Sequence, residues 1–148
     1  MPKKQTIERA RRDKREGKSA STQAGEFVRE EIEEIRAGKH GARSTKQAIA
    51  IALSKARRAR VKLAPPKPGK TWEATRRKAQ RDLEKADSEK KPSAKRSRAT
   101  LKALQRESAA AASPEALSRQ TRTAARKRSA AERSASAKKA ARTRKGGK

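Results

Sequence analysis

The chain carries only fourteen Ile, Leu, Val and Phe side chains, and none of them lies beyond Leu117. That is well under roughly a fifth of the residues, the level below which a highly charged chain cannot offset its ordering entropy by burial. A single large core is therefore excluded. What remains open is a small helical unit, marginal when alone, set among Lys, Arg, Ala and Ser. The 44 basic and 16 acidic residues among 148 leave a formal net charge of +28. Self-repulsion on this scale opposes compaction unless a polyanion or salt screens it. The balance points to nucleic acid first and an anionic membrane surface second.

Other classes fall away quickly. There is no Cys, which excludes disulfides and thiolate metal sites. The lone His40 cannot make a zinc site without partners. No apolar run approaches the length of a membrane span, and the first thirty residues lack a secretory signal region, so a cytoplasmic location is expected. No cofactor is implied.

Periodicity assigns an all-α class. Residues 6–16 read as a short helix stopped by Gly17. Val28, Ile32 and Ile35 then recur at i, i+4, i+7, with Phe27 on the shoulder of the stripe. Ser21 or Thr22 is the expected cap of that helix and Gly38 its end. Ser44 stands three residues before Gln47, the spacing of a capping box. Ile49, Ala52, Leu53 and Ala56 follow at i, i+3, i+4, i+7. The two stripes predict an antiparallel helical hairpin over 21–63, in which Val28, Ile32 and Ile35 face Ile49, Leu53 and Ala56.

Flanking segments read as a basic N-terminal arm (1–20), a Pro-rich linker (64–70) and an amphipathic helix (71–87). That last helix is capped by Thr71, with Trp72, Ala79, Leu83 and Ala86 on one face. Residues 88–148 read as a basic tail, largely disordered, with short or isolated helices. One helix is expected at about 94–112, and another starts at Ser113, Pro114 and Glu115. Residues 93–148 hold 17 bases and three acids, net +14, half of the whole excess.

No catalytic constellation survives inspection, and an enzyme is not expected. The acids within 30–34 ride a Glu-rich helix and read as a solvated or salt-bridged face. "GKHGARSTK" lacks the Walker A spacing and the preceding strand, so nucleotide hydrolysis is rejected. The same loop places amides at a helix start, where phosphate binds readily, although capping by Ser44 explains the sequence as well. Trp72 is expected to pack, since stacking platforms use several aromatics.

At "GKHGARSTKQAIAIALSKARRA" the sequence resembles a short domain of unknown function found in small, basic bacterial proteins. The likeness covers residues 25–63. It rests on a Gly-Lys-His-Gly turn, Ser-x-Lys-Gln, and an Ile/Ala/Leu helix ending in Ala-Arg-Arg-Ala. Those sequences usually carry Gly next; here the position is Arg60, which removes an expected helix cap. The resemblance implies a bacterial source and no known activity. The Ala/Lys/Arg/Ser tail separately resembles, by composition only, the linker-histone-like tails of bacterial nucleoid proteins.

The resulting expectation is a sequence-nonspecific, nucleoid-associated DNA-binding protein that neutralises phosphates. DNA is favoured over RNA. Candidate contacts are Lys39, Arg43, Lys46, Lys55, Arg57 and Arg58 in the hairpin. In the tail they are Arg126, Lys127, Arg128, Lys138, Lys139, Arg142, Arg144 and Lys145. The alternatives are an RNA- or ribosome-associated protein, and an adaptor whose hairpin mediates self-association or docks a protein partner.

Overall fold

The computed structural model describes residues 1–88 and 91–146. The described residues form seven α-helices, a 3-10 turn and no strand. The helices are α1 (Lys4–Arg15), α2 (Ala20–Arg36), α3 (Thr45–Arg58), α4 (Glu73–Ala86), α5 (Ala94–Gln105), α6 (Pro114–Arg126) and α7 (Ala130–Gly146), with the 3-10 turn at Ala109–Ala112. They divide into two compact units, Met1–Ser113 and Pro114–Lys148.

In the first unit α2 and α3 pack against each other, α1 lies on α2, α4 lies on α3, and the 3-10 turn touches both α2 and α3. The α2–α3 pair is thus embedded in a larger helical unit. Local chemistry explains each helix end. Ser19, rather than Ser21 or Thr22, caps α2 by accepting from the Thr22 amide. Gly38 takes φ 72° just past the α2 end, where a side chain would be strained. Ser44 Oγ accepts from the Gln47 amide at 3.2 Å, and Gln47 Oε1 accepts from the Arg43 amide at 2.7 Å. This nearly closes the box predicted for α3.

The core is narrower than the two stripes suggest. Phe27 is fully buried and joins Ala10, Ala24, Ala52, Ala56 and Val61 in one cluster, with Ile7, Val28, Leu53 and Leu63 along its edge. Burying a residue such as Phe27 is worth roughly 1.5–3 kcal/mol, so it is a main anchor rather than a shoulder. On α3 the innermost residues are Ala48, Ala52 and Ala56, at i, i+4, i+8, while Ile49 and Leu53 are half-buried. Alanine fits a crowded helix face and loses no side-chain entropy there. Ile32 and Ile35 are buried as expected. α4 buries Ala79 and Asp82 against α3, but Trp72 at its start is 86% exposed, which overturns the packing role read for it.

The expectation of a largely disordered tail is also corrected. Helices cover 94–105, 114–126 and 130–146. The last of these begins with a reciprocal capping box: Ser129 Oγ accepts from the Glu132 amide at 3.1 Å, and Glu132 Oε2 accepts from the Ser129 amide at 2.8 Å. Alanine, the best helix former, supplies much of the rest of α7. The single helix expected at 94–112 is interrupted after Gln105, and residues 109–112 become the 3-10 turn.

Candidate nucleic-acid interface

Most acids of the first unit are already engaged with its own cations. Arg9 meets Glu26 at 2.6 Å, and Arg29 meets Glu33 at 2.9 Å. Lys18 bridges Asp13 and Glu16 at 2.8 and 2.7 Å. Glu30, read from sequence as part of a solvated or salt-bridged face, is buried and accepts from the Lys3 amide at 2.8 Å, just ahead of α1. Glu31, also buried, accepts from Lys55 Nζ at 2.6 Å. Glu26, Glu30 and Glu31 of α2 therefore hold α1 and α3, while Glu33 stays exposed.

This accounting removes some predicted contacts from the interface. Lys55 lies between Glu31 and Glu34. Burial alone would lower its pKa, but the hydrogen bond to Glu31 and the charges of both glutamates outweigh that and raise it. Arg57 is 6% exposed and donates to the Leu63 and Ala64 carbonyls at 3.1 and 3.4 Å, fixing the chain as it leaves α3. Its pKa is lowered by burial, partly opposed by the charge of Asp82. Arg58 is half-exposed but pairs with Asp82 at 2.9 Å. Charge count alone misses these placements, because the partners of Lys55 and Arg58 lie on other helices and those of Arg57 are backbone carbonyls. Lys39, Arg43 and Lys46 are exposed, with Lys39 3.6 Å from Glu34 and Arg43 4.0 Å from Glu107.

Four amides around the α3 start already have acceptors. The Arg43 and Gln47 amides are held by the capping residues. The Gly41 amide donates to the Leu104 carbonyl at 2.8 Å and the Ala42 amide to the Ser108 carbonyl at 3.1 Å. A Cβ on Gly41 would sit 2.0 Å from the Glu107 carbonyl oxygen. The loop that resembles a phosphate cradle is therefore a seat for residues 104–112. Thr45 Oγ1 donates to the Ala111 carbonyl at 2.6 Å and Arg36 Nε to the Ala112 carbonyl at 2.9 Å, and both alanines are buried.

Free positive charge gathers instead on α5, α6 and α7. None of these three helices has a buried residue. On α5, Lys95, Arg98 and Lys102 stand at i, i+3, i+7 and are exposed. On α6, Arg119, Arg122 and Arg126 repeat that spacing, with Glu115 and Ser118 beside the first two around a shallow depression. On α7, Lys138, Arg142 and Lys145 stand at i, i+4, i+7. Either spacing keeps three side chains within about 60° of arc on a 3.6-residue helix. Among the described residues none of these nine cations has an ion-pair partner. Five of the nine, Lys95, Arg98, Lys102, Arg119 and Arg122, escape a reading based on charge runs; the signal that finds them is helical spacing of basic residues.

The remaining tail contacts are also exposed. Lys139 and Arg144 flank the α7 stripe, and Lys127 lies in the connection before it. Arg128 folds back onto the Glu132 carbonyl at 3.1 Å and onto the Ser136 hydroxyl. The chain matches no protein-family model, no curated protein and no solved structure.

Proposed function

We propose that the protein binds nucleic acid without sequence preference, with duplex DNA of the bacterial nucleoid as its principal target, and that it acts by neutralising phosphates without chemistry of its own. The observation that carries this reading is the set of three cationic stripes on helices that bury nothing. A stripe spans about 10 Å at 1.5 Å per residue. One DNA strand presents a charge every 3.4 Å or so along the axis, so a stripe matches about three phosphates. Like charges on one helix face repel each other, whereas counterion release makes their phosphate contacts favourable. α7 has no apolar stripe at all, and a helix polar all round needs an external partner to be held.

The test is a salt titration of binding to two duplexes of different sequence. In one variant the nine stripe cations become Gln. In a second, nine exposed bases from α1, α3 and the 62–78 stretch become Gln. The stripe variant should lose most of the salt dependence, at about 0.9 in the log–log slope for each phosphate released, and the second variant much less. Equal losses would assign binding to bulk charge. A hundredfold preference for one duplex would refute nonspecific binding, and stronger competition by structured RNA than by duplex DNA would move the target to RNA.

A further inference from the structure

His40 folds back over the last turns of α2, and its ring is only 8% exposed. Its Nδ1 lies 3.1 Å from the Gly41 carbonyl oxygen. A carbonyl can only accept, so Nδ1 carries the hydrogen in that bond. In the neutral ring this leaves the Nε2 lone pair pointing toward Glu31 Oε1 at 3.5 Å and Glu34 Oε2 at 3.9 Å. Glu31 Oε1 is buried and has no hydrogen-bond partner. Three electron-pair donors thus converge, all within 4.8 Å of one another. Lys55 contacts both carboxylates, and the exposed Lys39 stands 3.6 Å from Glu34 Oε1, away from the oxygen that faces His40.

We propose that Glu31, Glu34 and His40 bind a divalent transition-metal ion, with zinc as the best chemical fit. Zinc takes imidazole nitrogen and carboxylate oxygen at about 2.0–2.2 Å in a tetrahedron, which sets its ligands roughly 3.3–3.6 Å apart. The observed 3.5 and 3.9 Å need only a small side-chain adjustment. A mixed N/O set disfavours calcium and magnesium, which take oxygen. The supporting contacts are of the kind metal sites use. The Gly41 carbonyl fixes the His40 tautomer, and Lys55 holds Glu31 through its other oxygen at 2.6 Å, aiming Oε1 inward. Glu34 gives up its longer 3.5 Å contact with Lys55 when it turns to the ion. Solvent supplies the fourth ligand. A metal here joins α2 to the loop that seats residues 104–112, and so braces that seat.

Full-length protein freed of nucleic acid is titrated with Co²⁺. The chain has one His and no Cys, so a nitrogen-ligated site can form only at His40. The expected result is one equivalent bound, with the intense visible absorption of tetrahedral cobalt. Zn²⁺ displaces it and raises the thermal midpoint in proportion to log concentration. His40→Gln should weaken binding roughly 100-fold or more, since even outer-shell changes cost about 10–100-fold. Glu34→Gln should weaken it at least about tenfold, and decides the matter if His40→Gln does not fold. Absence of saturable binding at millimolar metal, or unchanged binding in the folded variants, overturns the site. A thermal midpoint that responds to pH across the histidine range but not to zinc replaces the metal with an imidazolium–carboxylate pair.

Discussion

Arg60 adopts φ 67°, the left-handed region, directly after the α3 cap residue Ala59. The Val61 amide donates to the Ala56 carbonyl at 3.1 Å and the Arg60 amide to the Arg57 carbonyl at 3.0 Å, so the turn closes the helix as a glycine cap would. It forms without glycine because Val61 is buried in the core, and that burial outweighs the local strain. The strain for an L residue is about 1–2 kcal/mol. Arg60→Gly relieves it, gives back some entropy to the unfolded chain, and forfeits one exposed hydrogen bond to the Ala86 carbonyl. The net expected gain is about 0.5–1 kcal/mol, read as a higher denaturant midpoint at unchanged slope; a loss of stability would mean the Ala86 contact matters more than the backbone. Sequence reasoning located this position but treated the missing glycine as a missing cap. It likewise read Glu30 and Glu31 as part of a solvated or salt-bridged face and missed their burial, because a single apolar stripe implies one buried face, while α2 is covered by α1, α3 and the 3-10 turn.

Among the elements, the seat of residues 104–112 on the 38–45 loop depends most on one residue. Gly41→Ala would drive a methyl group into the Glu107 backbone. The segment must then move, taking with it the bonds from the Gly41 and Ala42 amides and the burial of Ala111 and Ala112. A cost of about 2–3 kcal/mol is expected, with faster amide exchange at Gly41 and Ala42. A change under about 0.5 kcal/mol would show that the seat contributes nothing to stability. Helix starts were legible in part: Ser44 with Gln47, and Ser113 with Pro114, are local chemistry written in adjacent residues, whereas α2 is capped by Ser19 and α4 follows Trp72, with no side-chain cap from Thr71. Ser129 and Glu132 carry the same signature but are masked by the low-complexity composition around them. The seat itself had no local signal. Its partners are 66 residues apart at Thr45 and Ala111, and four consecutive alanines carry no pattern that names a destination.

Over the whole molecule, acids and bases are distributed by role. The first unit pairs most of its glutamates and aspartates internally, whereas Pro114–Lys148 holds twelve bases against two acids. Removing Pro114–Lys148 should leave the unfolding midpoint of the remaining unit within about 0.5 kcal/mol of its value in the full chain, while nucleic-acid affinity and its salt dependence both fall. A cut after Pro92, the boundary that composition suggests, should destabilise the first unit as well, since it takes away Ala111 and Ala112. Equal stability after both cuts would contradict the role of residues 104–112. The long-range closure also imposes an order in time. Ala112 follows the end of α3 at Arg58 by 54 residues (112 − 58). At roughly 5–20 residues per second of synthesis, the nascent chain waits about 3–10 s between completing α3 and emerging with the piece that covers it. During that interval the α2–α3 junction lacks residues 109–112, and the ribosome, not the finished fold, decides what it meets first.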